Sequence, residues 1–100
     1  MNIDERKPFT PGEILAEEFL EPSGLTQGEL ADRMGVPRRR VNEIIRNRRA
    51  ITPDTAIRLA RVFNVTPEYW LNLQMRSDLW EQLHDPKARK EYAKIGPDAA

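Results

Sequence analysis

Residues 35–49, GVPRRRVNEIIRNRR, contain six arginines and a single acid, Glu43, so this stretch carries a net charge of +5. The whole chain has 16 basic and 16 acidic residues and is neutral, so the remainder must sum to −5. A guanidinium donates paired hydrogen bonds to phosphate or to guanine, an asparagine amide pairs with adenine, and a glutamate accepts a hydrogen bond from cytosine. This concentration of positive charge favours a polyanionic partner, and its side chains suit a nucleic acid.

The composition excludes several other kinds of function. The chain of 100 residues is 39% apolar and 32% charged, as expected for one soluble domain with a modest core. It contains no cysteine and one histidine, His84, so neither a thiolate metal site nor a nucleophile–base pair can be assembled from it. We therefore expect no enzymatic activity, no metal ion and no cofactor. No apolar run approaches the ~18 residues that span a membrane and no signal peptide begins the chain, so we expect a cytoplasmic protein without a membrane partner.

Helix signals recur along the chain. Three Thr-Pro pairs, beginning at Thr10, Thr52 and Thr66, place a capping threonine before a proline that suits the first helical turn. Thr10 and Thr26 are each followed three residues later by glutamate, which completes a capping box. No segment alternates like a strand, so the sequence predicts an all-α domain of five helices, at about residues 11–21, 27–34, 37–46, 53–63 and 67–84. We expect this domain to cover residues 10–84, between a flexible N-terminal arm (1–9) and a flexible C-terminal tail (85–100).

The predicted helices at 27–34 and 37–46 have the spacing of a helix-turn-helix unit. Gly35 allows a tight turn between them, and Ala31 is small enough for the two helices to approach closely. The larger apolar residues of the unit follow the same pattern: Leu30, Met34, Val36, Val41 and Ile44. Such a unit presents its second helix to the major groove of DNA.

The second helix of this unit has two different faces. At 100° per residue one sector, which must face the core, holds Val41, Ile44 and Ile45. The opposite, exposed sector holds Arg39, Asn42, Glu43 and Arg46, whose side chains suit base edges. Arg48 and Arg49 follow the helix and suit phosphates, as does Gln27 at the start of the preceding helix. For Asn42 and Glu43 there is an alternative to contact with a base, which is that each only orients a neighbouring arginine. In all, we predict that ten residues contact DNA: Gln27, Arg38, Arg39, Arg40, Asn42, Glu43, Arg46, Asn47, Arg48 and Arg49.

The predicted last helix, within residues 66–83 (TPEYWLNLQMRSDLWEQL), is apolar on two sides. One side carries Tyr69, Trp70, Leu73 and Trp80, and the other carries Leu71, Met75, Leu79 and Leu83. A helix that packs on one side of a small domain needs only one apolar stripe. We predict that the second stripe forms the interface of a two-fold homodimer, which would space two recognition helices ~34 Å apart on a palindromic operator. The alternative is a break near Ser77 that folds the segment back on itself.

Several segments of the chain resemble the HigA-type antitoxins of bacterial toxin–antitoxin modules. These segments are PGEIL at 11–15, EFLEP at 18–22, GLTQ at 24–27, VNEII at 41–45, ITPDTA at 51–56 and PEYWLNLQ at 67–74. The resemblance implies a lambda-repressor-like (XRE/Cro) helix-turn-helix fold whose long C-terminal helix forms a homodimer. It also implies repression of the protein's own operon and neutralisation of a cognate HigB toxin, a small basic ribonuclease that cuts translated mRNA. Pro37 departs from the family, which usually has serine or threonine there, so no hydroxyl contact with a phosphate is expected at this position.

Two other interpretations stay open at this point. A free-standing transcriptional regulator of the same fold would have the same sequence features without a toxin partner. A protein-interaction module that has lost DNA binding would lack the salt dependence that neutralised phosphates impose. The acidic remainder of the chain, with its net charge of −5, is compatible with a basic protein partner.

Overall fold

Helices make up all the regular secondary structure of residues 6–97, the part of the chain that the structure, a computed structural model, describes. The six helices of this part are α1 (residues 11–23), α2 (Gln27–Met34), α3 (Arg38–Ile45), α4 (Pro53–Phe63), α5 (Pro67–His84) and α6 (Pro86–Tyr92). The all-α prediction is confirmed, and the bounds of α2, α4 and α5 are those that the sequence predicted.

Threonine caps begin four of these helices. The side-chain oxygen of Thr10 accepts a hydrogen bond from the amide of Glu13 at 3.1 Å, and that of Thr26 accepts one from the amide of Glu29 at 3.1 Å. Both glutamates also accept a hydrogen bond from the amide of their threonine, so both predicted capping boxes are confirmed. The threonines that precede α4 and α5 accept amide hydrogen bonds in the same way. Each such cap typically stabilises a helix by ~1 kcal/mol, which explains why these boundaries were predictable.

The middle of α1 is wider than a regular α-helix. Turns of α-helix at Pro11–Ile14 and Glu21–Ser23 flank a π-helical segment at Leu15–Leu20. A proline inside a helix has no amide to donate, and its ring meets the carbonyl group four residues earlier. Pro22 is the second residue after the wide segment, and wider turns give that carbonyl room. The helix thus continues two residues beyond its predicted end.

The helix α3 is shorter than predicted. It begins at Arg38, and Pro37 is its N-cap, with an extended backbone (ψ 145°) and no side-chain hydrogen bond. The sequence predicts a helix over residues 37–46, with Pro37 first and Arg46 last. Arg46 is instead the C-cap, because the chain turns out of the helix immediately after it.

The prediction of five helices is wrong, because a sixth helix, α6, forms within the segment assigned to the C-terminal tail. The side chain of Asp85 accepts a hydrogen bond from the amide of Ala88 at 3.0 Å, and Pro86 occupies the first turn. This is the cap-then-proline arrangement of α4 and α5 with aspartate in place of threonine. Residues 1–5 of the predicted arm and 98–100 of the tail lie outside the described residues.

The core surrounds Trp70, which is fully buried in α5. Its ring centroid lies 4.8 Å from that of Phe19 in α1 and 6.4 Å from that of Phe63 in α4. The α5 helix is continuous over 18 residues and Ser77 is buried, so the alternative of a break there is wrong. The rest of the core is formed by Leu15, Leu20, Leu30, Ala31, Met34, Val41, Ile44, Ile51, Ala56, Leu59 and Ala60.

The described part of the chain contains neither a helix able to span a membrane nor a group of side chains placed to bind a metal ion. None of its helices combines the length and the apolar character needed to cross a membrane. Residues 6–97 also hold no group of three or more histidine, aspartate or glutamate side chains placed to share a metal ion.

Candidate nucleic-acid interface

The helices α2 and α3 form a helix-turn-helix unit around Gly35. Gly35 adopts a left-handed backbone (φ 71°), which favours glycine, and its amide donates to the carbonyl of Asp32 at 3.2 Å. The next amide, of Val36, donates to the carbonyl of Ala31 at 3.0 Å, which completes the ending of α2. Ala31 and Val41 are buried where the two helices meet. The predicted unit is therefore confirmed, and its geometry turns the polar side of α3 away from the core.

The exposed face of α3 carries positive charge with little compensation. The side chain of Arg39 is 85% exposed, and its recorded ion pair is a long contact of 3.9 Å to Glu43. Within residues 6–97, Arg38, Arg46 and Arg48 are exposed and form no ion pair. The like charges on this face repel one another in the free protein. A polyanion that binds to the face would relieve this repulsion, so its binding is electrostatically favourable.

Arg40 faces away from this group and links α3 to α4. Its Nη1 lies 3.2 Å from Oδ2 of Asp54, and the same oxygen accepts a hydrogen bond from Nε of Arg58 at 3.0 Å. These contacts, the hydrogen bond from Arg58 first among them, lower the pKa of the Asp54 carboxyl below its ordinary value. Only 30% of the Arg40 side chain is exposed. The charge of Arg40, one of the predicted DNA contacts, is thus already matched by the carboxylate of Asp54.

Asn42 forms a hydrogen bond with a residue of α2, the first helix of the unit. Its Nδ2 donates to Oε1 of Gln27 at 3.1 Å, and both side chains are partly buried. Gln27 is the first residue of α2, where free backbone amides and the positive end of the helix dipole suit a phosphate. The side-chain NH₂ of Gln27 remains available for such an anion. Asn42 therefore does orient a neighbour, but the neighbour is Gln27 and not an arginine.

Glu43 pairs with an arginine of the loop that follows α3. Its Oε1 accepts hydrogen bonds from Nε and Nη2 of Arg49 at 3.2 and 3.0 Å. The same oxygen lies 3.9 Å from Nε of Arg39, one turn earlier. The Glu43 side chain is 28% exposed, far less than that of Arg39. Its carboxylate thus lies among guanidinium groups and behind the outer edge of the face.

The loop after α3 has a defined backbone. Asn47 is left-handed (φ 58°), a conformation that asparagine tolerates, and its amide donates to the carbonyl of Ile44 at 3.0 Å. The amide of Arg48 donates to the carbonyl of Glu43 at 2.8 Å. These two bonds are those of a Schellman ending, which reverses the chain so that Arg49 reaches back to α3. Asn47, one of the predicted DNA contacts, therefore shapes the loop through its backbone.

Gly12 seats α1 against the end of α3, a role that the sequence did not reveal. A Cβ atom built at Gly12 would overlap the carbonyl oxygen of Ile44 and lie 2.6 Å from that of Ile45. Both obstacles are backbone atoms, which cannot move without displacing α3 itself. The available signal was a glycine inside a capping box, where it costs ~1 kcal/mol of helix propensity relative to alanine.

Arg58 is a second residue that sequence reasoning missed. Its Nη1 donates to the carbonyl of Met34 at 2.8 Å, so it satisfies one of the last carbonyl groups of α2 beside the turn. The spacing of Asp54 and Arg58, four residues apart on one helix, is that of an ion pair and was visible in the sequence. The contact with α2 depends on how the helices pack and was not.

The second apolar stripe of α5 is partly open. Met75 and Leu79 are 57% and 37% exposed, whereas Leu71 and Leu83 are half-buried. Leu71 packs against the core. Two of the four predicted interface residues therefore lie at the surface, where a partner could cover them.

The turn, the buried contact between α2 and α3 and the open arginine face together define a helix-turn-helix protein. Residues 17–70 match the helix-turn-helix family. A relative named as an HTH-type transcriptional regulator of Haemophilus influenzae is 46% identical over 92 residues, which cover 92% of this chain and 86% of the relative. Antitoxin HigA-1 of Vibrio cholerae is 46% identical over 81 residues, 81% of this chain and 76% of its own. The solved structure of Pseudomonas aeruginosa antitoxin HigA with the higBA promoter has a TM-score of 0.83 and 36% identity, and the match covers 90% of this chain and 97% of that one. The chain belongs to the helix-turn-helix family that includes the HigA antitoxins.

Proposed function

We propose that this protein is a dimeric DNA-binding repressor of its own operon and the antitoxin of a HigB-type toxin. The observation that carries the DNA-binding part is the open face of α3, on which Arg39 and Arg46 are exposed to solvent. The HigA of Pseudomonas aeruginosa was solved with its higBA promoter, which supports a promoter as the partner of this chain as well. A protein with these partners acts in the cytoplasm, and its part in the module is binding, without catalysis.

The roles that we propose for the side chains follow from their positions. Arg39 and Arg46, on the exposed side of α3, contact base edges in the major groove. Arg48 and Arg49, in the loop after α3, contact phosphates, as does Gln27 at the start of α2. The two copies of α3 in a dimer would meet two half-sites of a palindromic operator.

The experiment for DNA binding is a titration of the full chain against the DNA upstream of its own gene, followed by fluorescence anisotropy at several salt concentrations. We expect log K to fall linearly with log salt at ~0.9 per neutralised phosphate.

Arg39→Ala should relax base preference at one position of each half-site, at a cost of ~1–3 kcal/mol for the preferred base. Arg48→Ala should weaken all sequences evenly and flatten the salt slope by about one unit. The assignment is refuted if Arg39→Ala is silent on every operator variant while Arg48→Ala changes base preference.

The antitoxin part is supported by the family relationship with HigA-1 of Vibrio cholerae and by the net charge of −5 outside residues 35–49. A pull-down of the full chain from its native host should recover a small basic protein, and expression of that protein alone should arrest growth. If the full chain recovers no such partner while it still binds its own promoter, the protein is a free-standing regulator. The name of the Haemophilus influenzae relative, a transcriptional regulator, favours that second function.

A further inference from the structure

We propose that Glu43 is a positioning residue: it holds the guanidinium of Arg49 ready for a phosphate and does not read a base. This inference rests on the proposed DNA binding and adds a mechanism for one pair of residues within it. The two roles make different predictions, because a base reader acts on one base pair whereas a positioning residue acts through Arg49.

Glu43 binds the loop through both its backbone and its side chain. Its carbonyl accepts the amide of Arg48 at 2.8 Å, and its carboxylate accepts two N–H groups of Arg49 at 3.0 and 3.2 Å. Between these two residues and the helix, Asn47 takes the left-handed conformation that closes the turn. One residue of α3 thus fixes both the path of the loop and the direction of its arginine.

The carboxylate is poorly placed to reach a base edge. All of its recorded contacts converge on Oε1, which lies between Arg49 and Arg39. The side chain is 28% exposed, whereas that of Arg39 on the same face is 85% exposed. A group that accepts a hydrogen bond from cytosine has to stand at the outer edge of the face, and here that edge belongs to Arg39.

Holding Arg49 in advance should strengthen binding, because a free arginine loses much of its rotamer freedom when it contacts a phosphate. The negative charge of Glu43 acts in the opposite direction, since it partly cancels the field that attracts DNA. The effect on DNA affinity of removing the charge of Glu43 must therefore be measured separately from the effect of removing its hydrogen-bond acceptor. Glu43→Gln and Glu43→Ala do this, because both are neutral and only glutamine keeps an oxygen that can accept a hydrogen bond from Arg49.

The experiment uses the full chain and a duplex that the wild-type chain enriches from a random-sequence library. We expect Glu43→Gln to bind this duplex about fivefold tighter than Glu43→Ala, as for one hydrogen bond of typical net strength. In an Arg49→Ala background the difference between the Gln and Ala variants should vanish. In the matched background Arg46→Ala, which removes an arginine that Glu43 does not touch, the difference should remain. The unfolding midpoints of the variants, measured without DNA, should not follow this pattern.

Two results would overturn the inference. The first is equal affinity of Glu43→Gln and Glu43→Ala for the enriched duplex. The second is a difference that persists in the Arg49→Ala background and depends on the base pair at one operator position, which would make Glu43 a base reader. If the wild-type chain enriches no duplex at all, DNA binding itself is refuted and the inference falls with it, so the two failures are distinguishable.

Discussion

At the scale of single residues, the position of α3 depends on how closely backbone segments can approach. Gly12 gives a direct test, because a methyl group there would overlap the carbonyl oxygen of Ile44. We expect Gly12→Ala to destabilise the protein by ~1–3 kcal/mol, as for an overpacked contact that has to shift backbone. Urea unfolding measures this loss. Gly96→Ala is the control, because a Cβ atom at Gly96 meets nothing within 4 Å. If Gly12→Ala unfolded at the urea concentration of the wild type, the close seating of α1 on α3 would be refuted.

Gly28, in the first turn of α2, makes the opposite prediction. A Cβ atom there would lie 3.9 Å from its nearest neighbours, Cδ of Arg38 and Oγ1 of Thr26, so the protein itself has room for a methyl group. Gly28→Ala should therefore raise the stability by roughly 0.5–1 kcal/mol through helix propensity. We expect operator binding to weaken nonetheless, because we propose that a phosphate approaches the start of α2. Unfolding and anisotropy on the same variant separate the two effects, and an undiminished affinity would show that the DNA backbone stays clear of this position.

At the scale of helices, the capping box of α2 makes the stability depend on pH. The pKa of Glu29 is lowered by hydrogen bonds from Thr26, from its backbone amide first and then from its hydroxyl, with a smaller contribution from Arg33. Folding therefore favours the charged carboxylate of Glu29. Its contribution to the free energy of unfolding is complete above the ordinary pKa of ~4.3 and is lost as the pH falls through the lowered pKa. We expect the urea midpoint of the wild type to fall between about pH 6 and about pH 3 by more than that of Glu29→Gln. Equal losses in both proteins would show that this cap does not contribute to the acid sensitivity.

Most of the helix boundaries could be predicted because local hydrogen bonds set them. A threonine that accepts an amide bond and a proline that needs no partner are visible in the sequence, and α4 and α5 begin where those residues place them. The α6 helix uses the same chemistry with Asp85, so it was predictable and was overlooked. The wide turns in the middle of α1 were not predictable, because they depend on how the chain accommodates Pro22 in three dimensions.

The candidate interface was predictable in composition and only partly in geometry. Periodicity placed Arg39 on the exposed side of α3, and the structure agrees. It could not show that Arg40 pairs with Asp54 or that Arg49 returns to Glu43, because each pair joins a residue of α3 to a residue outside that helix. Such contacts depend on the packing of α3 against α4 and on the left-handed turn after α3, neither of which periodicity describes.

At the scale of the whole molecule, the loop that we propose to contact DNA is tied to the helix that we propose as the dimer interface. The amide of Ile51, just after the loop, donates to Oε1 of Gln74 in α5 at 2.8 Å. The NH₂ of Gln74 in turn donates to Asp78 at 2.8 Å. Ile51 is buried, and Met75 and Leu79 lie beside Gln74 on the outer side of α5. A partner that covers Met75 and Leu79 would therefore pack against the same segment that holds the loop.

Met75 provides the test of dimerisation, since it is the most exposed residue of the stripe at 57%. In a dimer built on this stripe, Met75→Glu would bury a carboxylate without a partner, so we expect a monomer by size exclusion with light scattering at micromolar concentration. A dimer that contacts two half-sites gains ~10²–10⁴ in affinity over one contact, and the variant should lose that gain while it keeps its binding to a single half-site. Ile57→Glu is the matched control, because it adds the same charge at a 47% exposed apolar residue of α4. A Met75→Glu protein that remained a dimer would place the interface elsewhere, whereas a wild-type chain that is monomeric at this concentration would remove the dimer from the proposed function altogether.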